Sequence, residues 1–449
     1  MSYTSYPQRS TWLEFLGFPP GYGPWTYRAI PEPLISSELA RLASAHVNNS
    51  KTTMTGCVSL QPSPDPDDRS QDRFVVLDWD GWSFSAVFDG HGGEEAVDYV
   101  VQELPSLIHA ALTKALANAG TAPLAPSAVS TILQSSIQAV DDTLTNGVKH
   151  LFPDEATLAA LTDEQIKSII NGPTNPNNLT ILRCMRGTTA LISLVDPKKE
   201  NLWVASLGDC QAVLGTKNSN GKWDATILSV NHSGRNPAEV ARIRKEHPNE
   251  SECIKFDRIL GAIAVTRGDR IKHKHIYSHN HLAIGDHIFK LPVSYTTRVF
   301  MNCVPGFSVS SKLEHFLPHN KSPPYLSALA DIKHVALQPS TTNTSESFLI
   351  LCSDGLIDLY EHTNSTLEEI LTQWVHMLGE RMDRRGAKVG GEADKENTAL
   401  VLLRHALMGG GVDNPDRLAQ MLTVEIPCRW MDDTTALVQT LDYARGAHL

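Results

Sequence analysis

Long apolar runs are missing from this chain of 449 residues; no stretch approaches the roughly 20 apolar residues that cross a bilayer as a helix. Excess positive charge is missing too. Lys and Arg total 39 against 50 Asp and Glu, a formal net charge of −11. Sequence-independent binding to nucleic acid feeds on basic surface, so nucleic acid is not an expected partner. Cysteines are few and show no pairing pattern: Cys57, Cys184, Cys210, Cys253, Cys303, Cys352 and Cys428 are odd in number and widely spaced, with no C-x-x-C. This argues against a disulfide framework or a structural zinc site and for a reducing compartment. The start, M-S-Y-T-S-Y-P-Q-R-S-T-W-L-E-F, lacks the apolar core of a secretory signal. Its hydroxyl residues and Arg9 suit a mitochondrial transit peptide, but Glu14 arrives early. The expected location is intracellular, in the cytoplasm or the mitochondrial matrix. No internal repeat is visible.

What is present is an ordinary globular balance, with 41% hydrophobic and 20% charged residues, and a length that suits one large catalytic domain or two medium ones. Residues 1–63 read as an N-terminal extension, punctuated by Pro19, Pro20, Pro24, Pro31 and Pro33, with one short helix over Ser36 to His46. The stretch Q-P-S-P-D-P-D-D reads as a loop, and residues 64–445 as the catalytic domain. Arg73 to Asp78 and Trp82 to Phe88 read as strands of a hairpin turned at Asp80-Gly81. Helices are expected after Gly93 (with Glu94 and Glu95 in the first turn), over Ser127 to Thr145, and over Asp154 to Ile170. Strands return at Thr188 to Val195, Leu202 to Ser206, Gln211 to Leu214 and Ala225 to Val230. Asn236 caps a helix that begins at Pro237. A strand at Phe348 to Cys352, helices over Thr366 to Leu378 and Asn397 to Leu407, and a last strand at Thr434 to Gln439 complete the reading. Hairpins and paired helices without a βαβ rhythm indicate an α+β sandwich.

Several acidic residues share one context, at a strand end beside glycine or a polar turn. Asp89 ends S-A-V-F-D and precedes G-H-G-G; Asp209 follows L-W-V-A-S-L-G; Asp354 follows F-L-I-L-C-S; Asp432 and Asp433 precede T-T-A-L-V-Q. Strand ends deliver side chains from a rigid scaffold, and carboxylates and backbone carbonyls are hard donors that suit Mg²⁺ or Mn²⁺. Two such ions could activate water and clamp a phosphoryl oxygen. A single Asp at a strand end is more often a turn residue or a helix cap, so spacing alone does not name the reaction.

The ordered set of motifs resembles the metal-dependent protein serine/threonine phosphatases of type 2C, from roughly Asp68 to Gln439. It comprises S-Q-D-R-F at 70–74, V-F-D-G-H-G-G at 87–93, R-G-T-T-A at 186–190 and A-S-L-G-D-C at 205–210. G-A-I-A-V-T-R at 261–267, C-S-D-G-L-I-D at 352–358 and M-D-D-T-T at 431–435 complete it. F-D-G-H-G-G is the most specific of them. The resemblance implies a four-layer αββα sandwich, with a central antiparallel β-sandwich flanked by helices. It also implies hydrolysis of phosphoserine and phosphothreonine in proteins, a phosphorylated protein as partner, and two Mg²⁺ or Mn²⁺ ions with a weaker third. By position, Asp89 would bridge two metals, the Gly90 carbonyl would ligate one, and Asp354 and Asp432 would hold the other. Asp209 and Asp358 match positions linked to the third ion. Asp72 would orient water at the metals, and His91 matches the acid that protonates the leaving oxygen. E-N-T-A-L-V-L-L-R-H-A-L at 396–407 and the D-D-T-T ending resemble the pyruvate dehydrogenase phosphatase branch.

Three departures accompany the resemblance. Gln71 stands where the family has Glu before the aspartate aligned with Asp72, and Asp67 stands where many members have a phosphate-gripping Arg. Arg69 or Arg73 are the candidate substitutes, with Arg73 equally suited to a structural role. An insertion near 268–282 carries His273, His275, His279 and His281; a solvated loop is favoured there over a metal site. Two other readings stay open at this point: a phosphatase-like binding module with little catalysis, and a different two-metal hydrolase such as a phosphodiesterase. The oligomeric state is also open.

Overall fold

In the computed structural model the described residues are 9–12, 24–50, 53–63, 69–172, 174–261, 283–307, 313, 315–337, 347–386, 396–411, 414–426 and 429–441. Two antiparallel sheets form the centre. One orders its five strands as Asp331–Ala336, Asn201–Leu207, Ala190–Val195, Trp82–Phe88 and Arg73–Trp79. The other orders six as Trp223–Ile227, Gln211–Lys217, Ser347–Cys352, Thr434–Thr440, Met54–Leu60 and His46–Asn49.

The layers follow from side-chain alternation, because successive residues of a strand face opposite sides of its sheet. Val87, Leu191, Val204, Leu349, Leu351 and Leu437 meet between the two sheets. Their neighbours Phe84, Ala86 and Phe88 face the helices Glu95–Ala119 and Pro126–Leu151, packing with Val97, Val100 and Ile137. On the other side, Phe348, Ile350, Ala436 and Val438 pack under the helices Leu367–Gly386 and Thr398–Leu407, with Trp374, Leu402 and Leu403. Three apolar layers separate four layers of secondary structure, which is the expected αββα sandwich.

The first hairpin turns at Asp80 (φ 52°) and Gly81 (φ 95°), the pair of positive φ values that a two-residue I′ turn requires. Asn236 caps the helix Pro237–Glu246 by accepting from Ala238 N, with Pro237 inside the first turn. The segment read as one helix from Asp154 is two, Glu155–Ala160 and Asp163–Ile170. Thr162 breaks it, forming a capping box with Gln165 that favours a new helix start over continuation. The helix expected over Ser36 to His46 runs Leu34–Leu42.

The stretch read as an N-terminal extension contributes to the sandwich itself. Met54–Leu60 pairs with Thr434–Thr440 along its whole length and with His46–Asn49 on its other side. The sheet therefore begins before residue 64. The histidine-bearing insertion near 268–282, Asp67 and Cys428 lie outside the described residues. The six described cysteines are all buried and none is in a disulfide.

Candidate active site

The site forms where the two sheets deliver their strand ends to one place. Asp89 directly follows the strand Trp82–Phe88, and its backbone is pinned by Thr189: Asp89 N donates to Thr189 Oγ1 at 3.0 Å, and Thr189 N donates to Asp89 O at 2.9 Å. Asp209 sits two residues past Asn201–Leu207, after Gly208 (φ 109°) turns the chain. Asp354 opens a one-turn helix directly after Ser353, which follows Ser347–Cys352. Asp89, Asp209 and Asp354 each offer a carboxylate oxygen, and these atoms lie within 4.8 Å of one another.

Desolvation and mutual repulsion shape the electrostatics. Surrounding protein pushes the Asp89 carboxyl well above its ordinary range, and the charges of Asp72, Asp209 and Asp432 add to the shift. Asp354 is raised by desolvation and then by Asp89 and Asp209. Asp432 thus adjoins the cluster through its field, while its Oδ1 accepts from Asp433 N at 2.9 Å. Asp358 is exposed, and its charge contributes to the rise at Asp354.

Asp72 is buried, and its carboxyl is pushed up to about 8 by desolvation and then by Asp433. Its Oδ2 accepts from Ser353 Oγ at 2.7 Å, and Ser353 Oγ in turn accepts from Thr435 N at 2.9 Å. Its Oδ1 is buried without a hydrogen-bond partner among the described residues. Hard oxygen donors, mutual repulsion and an orphaned carboxylate oxygen together fit a site for divalent cations.

Asp433 plays a different part from its neighbour. It is buried and accepts from Gln61 Nε2 at 2.8 Å, from Gln71 N at 2.7 Å and from the Arg429 guanidinium. It ties the 71–72 loop to the last strand. Gly355 makes that junction possible, because a Cβ there would stand 2.0 Å from the Asp433 carbonyl oxygen. Gly355→Ala is expected to push the Asp354 and Asp432 loops apart, costing about 1–3 kcal/mol in stability and most of the divalent-cation affinity. Thermal melts and calorimetric titration with Mn²⁺ would check this; unchanged affinity would refute it.

Gly90 and His91 pair with Gly187–Thr188, which also pairs with Ile284–Gly285, in a small three-stranded ladder. This ladder brings His91 to Asp286, with Nε2 and Oδ2 2.7 Å apart. Burial disfavours the charged ring, but the Asp286 carboxylate outweighs it and the His91 pKa is raised. Gly187 leaves room for the pair, since a Cβ there would stand 2.2 Å from His91 Nε2. Asp286 was legible only as part of a G-D motif; its link to His91 spans 195 residues. Ser353 and Gln61 were likewise not foreseen as contributors.

The two arginine candidates separate. Arg73 is committed to structure: its guanidinium donates to Asp98 at 2.8 Å, Glu94 at 3.1 Å, and the carbonyls of Ser70 and Asp72 at 2.6 and 2.9 Å. Arg69 is exposed. Gln71 uses its Oε1 to accept from Gly93 N at 3.3 Å, bracing the His91 loop.

Comparison with known proteins identifies relatives of the chain. The protein phosphatase 2C family profile matches residues 70–377. A protein phosphatase 2C homolog of Schizosaccharomyces pombe is 27% identical over 385 residues, covering 82% of this chain and 75% of that protein. Bovine mitochondrial [pyruvate dehydrogenase [acetyl-transferring]]-phosphatase 1 is 29% identical over 300 residues, covering 62% of this chain and 52% of its own length. The human phosphatase 2 of that name is 29% identical over 289 residues, covering 58% and 49%. The matched part thus spans about half the length of these pyruvate dehydrogenase phosphatases. A solved serine-threonine phosphatase 2C from Toxoplasma gondii is 17% identical, covering 88% of this chain and 96% of its own, with a TM-score of 0.44.

The chain belongs to the protein phosphatase 2C family. Its members are metal-dependent protein serine/threonine phosphatases, and the acidic cluster could hold a metal ion. Among the described residues, no helix is long and apolar enough to cross a membrane.

Proposed function

We propose that this chain hydrolyses phosphoserine and phosphothreonine in a protein substrate with two Mg²⁺ or Mn²⁺ ions held by Asp89, Asp354, Asp432 and the Gly90 carbonyl. Asp209 and Asp358 would serve a weaker third ion. The observation that carries the reading is the convergence of Asp89, Asp209 and Asp354 within 4.8 Å. Divalent cations there supply Lewis acidity, polarising a phosphoryl oxygen and lowering the pKa of water. Asp72, held at Oδ2 by Ser353, presents Oδ1 to orient the attacking water. His91 donates a proton to the leaving seryl or threonyl oxygen. Asp286 engages Nε2, so Nδ1, which has no hydrogen-bond partner among the described residues, is the ring atom left to deliver it. With Arg73 committed to Asp98 and Glu94, the exposed Arg69 is the candidate phosphate contact. The relatives named for pyruvate dehydrogenase make a phosphorylated subunit of that complex the first substrate to try, and the mitochondrial matrix the first compartment.

The direct test is phosphate release from a phosphothreonine peptide with Mn²⁺, with Mg²⁺ and with EDTA. Activity restored by metal and abolished by EDTA is expected; folded protein inactive with both metals would overturn the reading. His91→Ala should slow phosphothreonine peptide, a poor leaving group, by about 10²-fold or more, and nitrophenyl phosphate far less. Asp286→Asn should show the same leaving-group pattern at about 10-fold, since it loosens the ring without removing it. Equal losses on both substrates would count against the assigned acid.

A further inference from the structure

The helix Pro237–Glu246 and the hairpin of Ile254–Lys255 with Arg258–Ile259 border a cavity of about 550 Å³ whose lining includes Arg235, Val240, Arg244 and Asp257. The lining is basic in a protein whose net charge is −11. Arg235 and Arg244 are exposed, and neither forms a hydrogen bond or an ion pair among the described residues. Asp257 is the one acid of the lining, and the other nearby acids are committed elsewhere. Glu239 and Glu246 each hold Arg242 at 2.9 Å, Glu252 holds Lys255 at 2.6 Å, and Glu250 is bound by Ser322 and Tyr325. Beside Asp257, the buried Arg258 has its pKa lowered to about 10 by burial and then by the charge of Arg235. Positive charge here is in local excess.

The hairpin supplies a second, independent observation. Lys255 pairs with Arg258, so Phe256 and Asp257 form the two-residue turn, with φ of 56° and 58°. Such turns favour Asn-Gly. A Phe in the left-handed region is strained, and burial does not offset it: Phe256 is 73% exposed. Strain retained to display an aromatic ring is a mark of a contact surface.

The surface is also tied to the acidic cluster. His232 N donates to Gly208 O at 2.9 Å, and Gly208 N donates to His232 Nδ1 at 3.2 Å. Gly208 adjoins Asp209, and Arg235 follows His232 by three residues. Chain geometry then places the Arg235 backbone within about 20 Å of Asp209. An extended peptide covers that span in about six residues.

We propose that this face docks an acidic segment of the phosphoprotein substrate, with Arg235 and Arg244 gripping its carboxylates and Phe256 packing on an apolar residue among them. The inference rests on the phosphatase reading for the identity of the ligand, and its test separates the two. The probe is a fluorescein-labelled peptide with a non-hydrolysable phosphonate in place of phosphothreonine, a Leu, and Glu or Asp four to eight residues away. Its partner has Gln and Asn at the acidic positions. Anisotropy with the full chain, Mn²⁺ and about 50 mM salt, where screening is weak, should show the acidic peptide bound at least 10-fold tighter. R235E/R244E should abolish or reverse that preference, and Phe256→Ser should weaken both peptides about 3-fold or more. Equal affinity for the two peptides, or a preference unchanged in R235E/R244E, would overturn the proposal. Nitrophenyl phosphate turnover should be unchanged in these variants. If the wild type itself fails to turn it over, the phosphatase reading falls, and the peptide comparison still decides the docking surface.

Discussion

Asp89→Asn should abolish phosphatase activity while making the metal-free protein more stable. The Asp89 carboxyl is raised by desolvation and by Asp72, Asp209 and Asp432. Asparagine keeps its size and leaves the backbone contacts with Thr189 in place. It removes an anion proposed to hold the cations, and a Lewis-acid contribution of several kcal/mol corresponds to a fall in kcat of about 10³-fold or more. It also removes one of several charges that repel without cations. The melting temperature of the EDTA-treated variant should therefore exceed that of the wild type, and Mn²⁺ should no longer raise it. A variant that keeps near-normal activity, or that still gains stability with Mn²⁺, would refute the assigned bridge.

The same electrostatics fix a pH dependence. The folded-state pKa of Asp72 is about 8, against an unfolded value near 3.9. Between these values the native state holds the proton and the unfolded state has lost it, so unfolding releases protons and stability falls as pH rises. Metal-free protein should thus be more stable at pH 5.5 than at pH 8, with added Mn²⁺ reducing or reversing the difference. Thermal melts across that range with EDTA and with Mn²⁺ would check the sign.

A chain begun at residue 64 should fail to fold. Met54–Leu60 lies between Thr434–Thr440 and His46–Asn49, so its removal opens the strand that carries Thr434 onward. Cys57 is lost from the layer between the sheets, and Val58 and Leu60 from the layer under the helices. Asn397, which caps Thr398–Leu407, loses the Cys57 and His46 carbonyls to which its Nδ2 donates, each at 2.9 Å. Asp433 loses Gln61. An exposed, apolar strand edge is an aggregation site, so the product should be insoluble or lack a cooperative melt. A soluble, cooperative and active 64–449 fragment would sink this prediction.

Much of this architecture was legible from local pattern. Trp82–Phe88 announced itself by aromatic and apolar residues alternating with Ser83 and Ser85, and its turn by Asp80-Gly81. Asn236-Pro237 marked a helix start that the structure places where expected. Asp89, Asp209, Asp354 and Asp432 were singled out because each sits at a strand end, where a rigid element aims a short side chain. Met54–Leu60 escaped notice because M-T-G-C-V-S-L has no polar alternation. It is buried on both faces, and Gly56 is there because a Cβ would stand 2.5 Å from Asn397 Oδ1, a neighbour far away in sequence.

What the sequence determines by itself is therefore the local grammar: element types, turn residues, and which carboxylates stand at strand ends. These depend on interactions within a few residues. Which strands pair, and which buried groups meet, was decided only by the tertiary structure. Ser353 reaches Asp72 across 281 residues and Asp286 reaches His91 across 195. Arg73 was drawn into a brace with Glu94 and Asp98. A strand's alternation names its two faces but not its neighbour, and a carboxylate's partner depends on what the sheets bring beside it.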